Sequence, residues 1–245
     1  MDRWSSGDAY EPFIGRWSRL VAREFVAWLD LPAGLRWVDV GCGTGALTET
    51  IRDAAAPGSL LGVDPSAQFV AHATTRVGGA RFAIGSATAL PVADGGADVV
   101  VSGLVLNFVP DVAAAVAEAR RVAPRVAAYV WDYAEGMEPL RHFWDVAIAL
   151  DPAVRDLDEA TRFPLCRPEA LRAAVGGEVT AITVPTVFAD FDDYWTPFLG
   201  GVGPGPTYVA GLDPARRDAL RDALRDRLGD GRIDLTARAW AVRAG

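Results

Sequence analysis

An α/β fold built on a parallel sheet is predicted by three observations. Strand-like and helix-like segments alternate between residues 36 and 131, and such alternation means crossover units on one sheet. A glycine-rich turn, Gly41-Cys42-Gly43-Thr44-Gly45, joins the first strand of that series to its first helix. At 245 residues the chain can bury one good core, so a single domain, 1–245, with insertions is expected.

Residues 11–30 read as an N-terminal helix with Trp17, Leu20, Val21, Phe25 and Trp28 on a broad apolar side. The alternating series then runs as strand 36–40, helix 46–55, strand 59–63, helix 66–77, strand 81–84, strand 97–102, helix 111–122 and strand 126–131. Pro124 fits a helix that stops before the last of these. Beyond Trp131 the rhythm changes: helices occupy 132–177, with one around Leu140 to Leu150, before a strand near 178–184. Section 185–232 holds many aromatics and the glycine-proline run Gly200 to Pro206. Its helix, Pro214 to Leu228, carries Leu220, Leu224 and Leu228 on one side and reads as a solvated cover helix. Asp234 to Arg243 reads as an edge strand.

Composition excludes several chemistries. All 24 basic residues are arginine, which removes a phosphate-loop lysine, a pyridoxal Schiff base and the Tyr-Lys pair of short-chain dehydrogenases. The net charge of −8 argues against a phosphate-backbone binder, so no nucleic-acid partner is expected. No apolar run reaches a membrane span, and the opening Met1-Asp2-Arg3-Trp4 lacks the pattern of a secretory signal. Two cysteines, Cys42 and Cys166, make no disulfide framework, which points to a reducing, cytoplasmic setting. Two histidines and two cysteines, widely scattered, make no four-ligand metal site.

The glycine turn carries the chemistry. Its glycines let the backbone approach a ligand, and the helix start offers free N–H groups to a polar or anionic group. Asp39, two residues before the first glycine, suits a ligand bearing an ammonium, as S-adenosylmethionine does. Asp64, at the end of the second strand and 19 residues after Gly45, stands where such folds bind ribose hydroxyls. Asp64 or Ser66 could instead simply cap the next helix.

These residues resemble the class I S-adenosylmethionine-dependent methyltransferases. The matching segments are VDVGCGTG, LGVDPS, GSATALPVADGGADVVVSG and LNFVPD, covering roughly residues 35–131. The opening YEPFIGRWSRLVAREF and the later WDYAEGM and DFDDYWTPFLGG resemble a bacterial small-molecule branch of that family, similar to methyltransferase type 11. The resemblance implies a Rossmann-like, seven-stranded, mostly parallel sheet with an antiparallel last strand, helices on both faces and helical cap insertions. The cofactor-binding core would span about 31–131, cap elements about 1–30 and 132–232, and the last strand about 234–243.

The cofactor, S-adenosyl-L-methionine, would meet Asp39, Gly41, Cys42, Gly43, Gly45, Asp64 and Pro65, with Ser86 and Ala87 near the adenine. The family often has an acid where Ser86 stands, so the adenine contact here departs from its pattern. Ser102, Gly103 and Leu104 would pass near the methionine end, followed by Asn107 on the acceptor side. Arg16 would either reach the cofactor carboxylate or be solvated. Cys42 reads as a small packed residue rather than a nucleophile.

Methyl transfer needs mainly an aligned acceptor about 3 Å behind the sulfonium methyl and the exclusion of water. A base is needed only where the acceptor sheds a proton. Tyr10, Phe13, Trp17, Trp131, Tyr133, Trp144, Tyr194 and Trp195 could shape an acceptor pocket, or could be plain core. Asp132 and Tyr133, at the fifth strand's end, are candidate catalytic residues with His142; Asp132 could orient or deprotonate the acceptor, or be a loop acid or cap. His142 is the better placed of two histidines, with a packed or surface role as its alternative.

A small organic methyl acceptor is therefore expected. A protein or nucleic-acid methylator is the runner-up, although Ser102-Gly103-Leu104-Val105 replaces the Asn/Asp-Pro-Pro-aromatic run of adenine and glutamine methylators. A nicotinamide oxidoreductase is disfavoured by Asp39 and the missing lysine, and a non-catalytic cofactor-binding module by the long aromatic cap.

Overall fold

Seven strands in the order β3-β2-β1-β4-β5-β7-β6 form one sheet in the computed structural model, which describes residues 15–201 and 203–245. Tyr10 and Phe13 lie outside the described residues. In chain order the elements are α1 (Arg16–Leu29), β1 (Arg36–Val40), α2 (Ala46–Ala54), β2 (Ser59–Asp64), α3 (Ala67–Arg76), β3 (Arg81–Ile84), β4 (Val99–Gly103), α4 (Val112–Val122) and β5 (Arg125–Trp131). They continue with α5 (Glu138–Leu150), α6 (Glu159–Arg162), α7 (Pro168–Val175), β6 (Glu178–Phe188), α8 (Phe191–Trp195), α9 (Pro204–Gly211), α10 (Pro214–Leu228) and β7 (Ile233–Ala244). The expected elements up to β5 are found within two residues of their predicted ends, save α1, whose predicted first residues lie outside the described ones.

Strands β1 to β5 pair in parallel wherever they adjoin. The last strand runs antiparallel, as the family resemblance implied. Its position differs from expectation: β7 lies between β5 and β6, and β6 takes the edge. Strand β6 also runs to Phe188 rather than stopping near 184.

The chain forms two compact units. The first comprises Ser18–Val130, Leu165–Ile182 and Ala239–Gly245. Its core is the parallel strands, where Trp37, Val38, Val40, Leu60, Val63, Val99, Val100 and Val101 are buried under Leu47 and Ile51 of α2. Near-continuous β-branched strands of this kind suit a sheet covered on both faces. From α1 this unit buries Val21, Ala22, Phe25 and Leu29, with Phe25 against Tyr129 at 4.6 Å. Leu20 and Trp28 are only half-buried.

The second unit comprises 15–17 of the described residues, Trp131–Pro164 and Thr183–Arg238. Its core is aromatic. Phe143 stacks on Phe198 at 4.3 Å and meets Trp144 edge-on at 5.0 Å. Tyr194, fully buried, meets Phe188 edge-on at 5.2 Å and donates its hydroxyl to the Pro139 carbonyl at 2.9 Å. Helix α10 buries Leu220 and Leu224 and exposes its charged side, as a cover helix should.

The same unit buries three acids, Asp132, Asp158 and Glu159. Glu159 accepts a hydrogen bond from Trp144 Nε1, and burial pushes its carboxyl up to about 7. A carboxyl raised in the folded state adds stability that is complete below its unfolded range and is lost as pH rises through about 7. Glu159→Gln is therefore expected to match the wild type in melting temperature at pH 4 and exceed it at pH 8.5. Parallel melting curves at the two pH values would overturn this.

Candidate active site

The sheet order reverses between β1 and β4, and in open α/β sheets ligands bind outside the carboxyl ends of the strands at such a point. Within the first unit those ends bring together Asp39, the glycine turn, Asp64, the Ser86 loop and the segment Ser102-Gly103-Leu104. The turn is held by backbone bonds: Gly41 and Cys42 donate to the Val63 carbonyl at 2.7 and 3.1 Å, and Gly45 donates to the Cys42 carbonyl at 2.8 Å. Gly41 and Gly45, at φ +74° and +90°, need glycine twice over, because a Cβ would also strike Val105 and Val77 respectively. Gly43 differs: at φ +52° its missing Cβ points into open space.

Asp39 is fully buried and half-satisfied. Its Oδ2 accepts from Thr48 Oγ1 at 2.6 Å, while Oδ1 is buried with no partner. Burial pushes its carboxyl up to about 7; the Thr48 bond opposes that shift and the nearby Asp64 charge adds to it. An orphaned buried carboxylate oxygen is costly, and native structures keep one where a ligand supplies the missing donor. The residues therefore fit an ammonium-bearing cofactor. Thr48 escaped the sequence reading. Its only signal was a hydroxyl standing beside Leu47 and one turn before Ile51 on the buried side of α2.

Asp64 accepts two backbone hydrogen bonds. Its Oδ1 accepts from Ser66 N at 2.8 Å and its Oδ2 from Gly43 N at 3.0 Å, so it braces the glycine turn. Ser66, not Asp64, caps α3 by accepting from Phe69 N. A carboxylate has about four acceptor positions, which leaves room for two ribose hydroxyls. Pro65 is exposed beside it.

Cys42 is buried and its thiol is pushed far above the ordinary range, chiefly by burial and then by Asp39 and Asp64. It packs rather than reacts. Ser86 is exposed and turns its hydroxyl to Thr88, at 3.0 Å, with Ala87 half-buried beyond it. Ser102 donates to the Val40 carbonyl at 2.9 Å and ties β4 to the glycine-turn strand. Gly103 lies against the Tyr129 hydroxyl, and Leu104 takes a left-handed φ of +61°. Asn107 keeps its Nδ2 buried without a partner.

The remaining candidates belong to the second unit. Asp132 accepts from Arg238 Nε at 2.7 Å and Nη2 at 2.6 Å, and its other oxygen accepts from Glu135 N at 3.1 Å. It is the loop cap that the sequence left as an alternative, and it also pairs with Arg238, which the sequence did not show. His142 accepts from Arg227 Nε at 2.7 Å through Nδ1, and burial followed by the Arg227 charge lowers its proton affinity. It therefore joins α5 to α10. Tyr133 is buried against Phe163 at 5.8 Å, and Trp131, Tyr194 and Trp195 are core. Trp17 is buried edge-on to Phe188 at 5.3 Å. Arg16 pairs with Asp193 at 3.1 Å. Among the described residues, no group of three or more His, Cys, Asp or Glu is placed to hold a metal ion, and no helix is long and apolar enough to cross a membrane.

Residues 38–125 match the profile described as a methyltransferase domain. A trans-aconitate 2-methyltransferase of Variovorax paradoxus is 32% identical over 90 residues, which cover 37% of this chain and 35% of that protein. The chain spans about a third of the length of the curated relatives it matches. Among solved structures, the YcgJ protein of Bacillus subtilis aligns with a TM-score of 0.56 at 18% identity, covering 91% of this chain and 97% of that one. The Haemonchus contortus phosphoethanolamine N-methyltransferase 2, solved with phosphomonomethylethanolamine and S-adenosylhomocysteine, aligns at 0.53 and 15% identity, covering 96% of this chain and 56% of that one. At these identities the solved structures share the fold.

Proposed function

We propose that this chain, whose residues 38–125 match the profile of a methyltransferase domain, transfers a methyl group from S-adenosylmethionine to a small organic molecule. The observation that carries the reading is the buried, unpartnered Oδ1 of Asp39 at the foot of a glycine turn that Asp64 braces. When bound, S-adenosylmethionine supplies a methyl group already activated by its sulfonium. Asp39 would take the ammonium, and Asp64 the ribose hydroxyls through its remaining lone pairs. The open side of Gly43 lets the backbone come close to the ligand. Ser102 fixes the end of β4, so that Gly103 and Leu104 present a set backbone to the methionine end.

The small-molecule acceptor is supported by charge and by the β4 end. Arg36, Arg52, Arg121, Arg221 and Arg232 each pair with an acid, so they offer no open basic face to a phosphate backbone. The curated relative is named for a small-molecule acceptor, although its match covers only 37% of this chain. Catalysis rests on alignment and exclusion of water. No general base is assigned to Asp132 or His142, whose acceptor atoms are engaged by Arg238 and Arg227.

Calorimetry with S-adenosylhomocysteine tests the cofactor, and methyl-labelled cofactor with panels of small acids, amines and phenols tests the acceptor class. Absence of heat in the first would end the reading; label entering only protein or RNA would end its small-molecule part. Asp64→Ala is expected to weaken S-adenosylhomocysteine by one to two orders of magnitude, about 1.4–2.8 kcal/mol. Unchanged affinity would remove the ribose assignment.

A further inference from the structure

Helix α10 lies on the second unit with two buried side chains, Leu220 and Leu224, so polar contacts matter at its ends. Arg216, in its first turn, faces Asp151 at 3.8 Å, and Arg225 pairs with Asp192 at 3.1 Å. In its last turn Arg227 reaches α5 with two donors at once. Its Nε donates to His142 Nδ1 at 2.7 Å, and its Nη2 donates to Asp145 Oδ2 at 2.9 Å. Every guanidinium nitrogen carries hydrogen and none can accept. The bond to His142 therefore exists only while Nδ1 is bare and the ring proton sits on Nε2. Arginine keeps its charge across the whole working pH range. The imidazole is the member of this contact that changes state near neutral pH.

We propose that His142 and Arg227 form an acid-sensitive latch that holds the last turn of α10 on α5, closed while the imidazole is neutral and open once it is protonated. A proton on Nδ1 would meet the Arg227 Nε–H head on, donor against donor and cation against cation. Partial burial and then the Arg227 charge oppose that proton, while Glu138 and Asp145 on α5 favour it; the net effect lowers the proton affinity. The other elements packed on α5 hold their charges elsewhere. Asp158 and Glu159 are bound to Arg141 and Trp144, and Tyr208 of α9 lies against Trp144. Arg155 and Asp156, in the 3₁₀ turn Pro152–Leu157, are exposed. Because folding lowers the proton affinity, the latch stabilises fully above the unfolded value of about 6.5 and is lost as pH falls below it. When it opens, Arg227 keeps Asp145 and the two leucines stay docked, so only the end of α10 loosens. All these residues lie in the second unit, and the latch is independent of the methyl-transfer reading.

Hydrogen exchange on the full chain tests this. The readout is the protection of amides 225–228 in α10 divided by that of α4 in the first unit, after correction for intrinsic rates. Between pH 7.5 and pH 5 the wild-type ratio is expected to fall about threefold to fivefold, the scale of a partly exposed charged contact. His142→Asn places an amide oxygen close to where Nδ1 stood and does not titrate, so its ratio should stay level. Arg227→Leu has no donor and should show the low ratio at both pH values. A wild-type ratio that holds steady, one that falls as far in His142→Asn, or a high ratio in Arg227→Leu overturns the latch. Imidazole nitrogen NMR on the wild type needs no variant. At pH 7.5 it should show His142 protonated on Nε2 alone, and a proton on Nδ1 at that pH would equally overturn the proposal.

Discussion

Asp39→Asn is expected to weaken S-adenosylhomocysteine about a hundredfold or more, roughly 3 kcal/mol, and at the same time to stabilise the free protein at pH 8. The two effects have one cause. In the free protein the Asp39 charge is buried with a single hydrogen bond from Thr48, and its carboxyl is pushed up to about 7. Stability from such a raised carboxyl is complete below the ordinary carboxylate range and is lost as pH rises through about 7. Asparagine removes that loss. It also removes the anion that a bound ammonium needs, so wild-type affinity should fall as pH drops below about 7 while that of the variant stays flat. Calorimetry at pH 6 and 8, with melting curves of the free proteins, checks both signs. A variant that binds as tightly as the wild type, or that is less stable at pH 8, contradicts the assignment.

Gly41→Ala is expected to cost about 1–2 kcal/mol for the left-handed backbone and about 1–3 kcal/mol for overlap with a packed side chain. The backbone there has φ +74°, and the new Cβ would stand 2.5 Å from Val105 Cγ1 and 2.7 Å from Cγ2. Val105 precedes the short 3₁₀ turn Leu106–Phe108, and Gly103 and Leu104 lie just before it, so relief by movement would disturb the β4 end. Urea denaturation gives the total. Adding Val105→Ala should recover the overlap part and leave the backbone part, which separates the two. A single variant with an unchanged midpoint would show that the turn relaxes freely.

The parallel half of the fold was legible because each strand and helix there is written locally. Strand β1 ends in an acid and three glycines, and α4 is capped by Asp111 and followed by Pro124. The place of β7 was not legible. Its sequence alternates polar and apolar residues, as in Ile233, Asp234, Leu235 and Thr236, and this pattern reads the same at an edge as beside one. Sheet order comes from long-range pairing, which local periodicity does not carry. The second unit shows the same limit in its side chains. Asp132 and His142 looked available because Arg238 and Arg227, their partners, stand 106 and 85 positions away. Thr48 was missed for a related reason, since a hydroxyl on a helix announces a role only once its neighbour across the turn is known to be an acid.

Both thiols of this chain, Cys42 and Cys166, are buried, and it contains no lysine. Maleimides and iodoacetamide therefore reach sulfur only when the first unit breathes, which makes alkylation speed a clock for local opening. Cys42 sits inside the glycine turn, so a ligand seated there should slow that clock, with no need to know which substrate receives the methyl group.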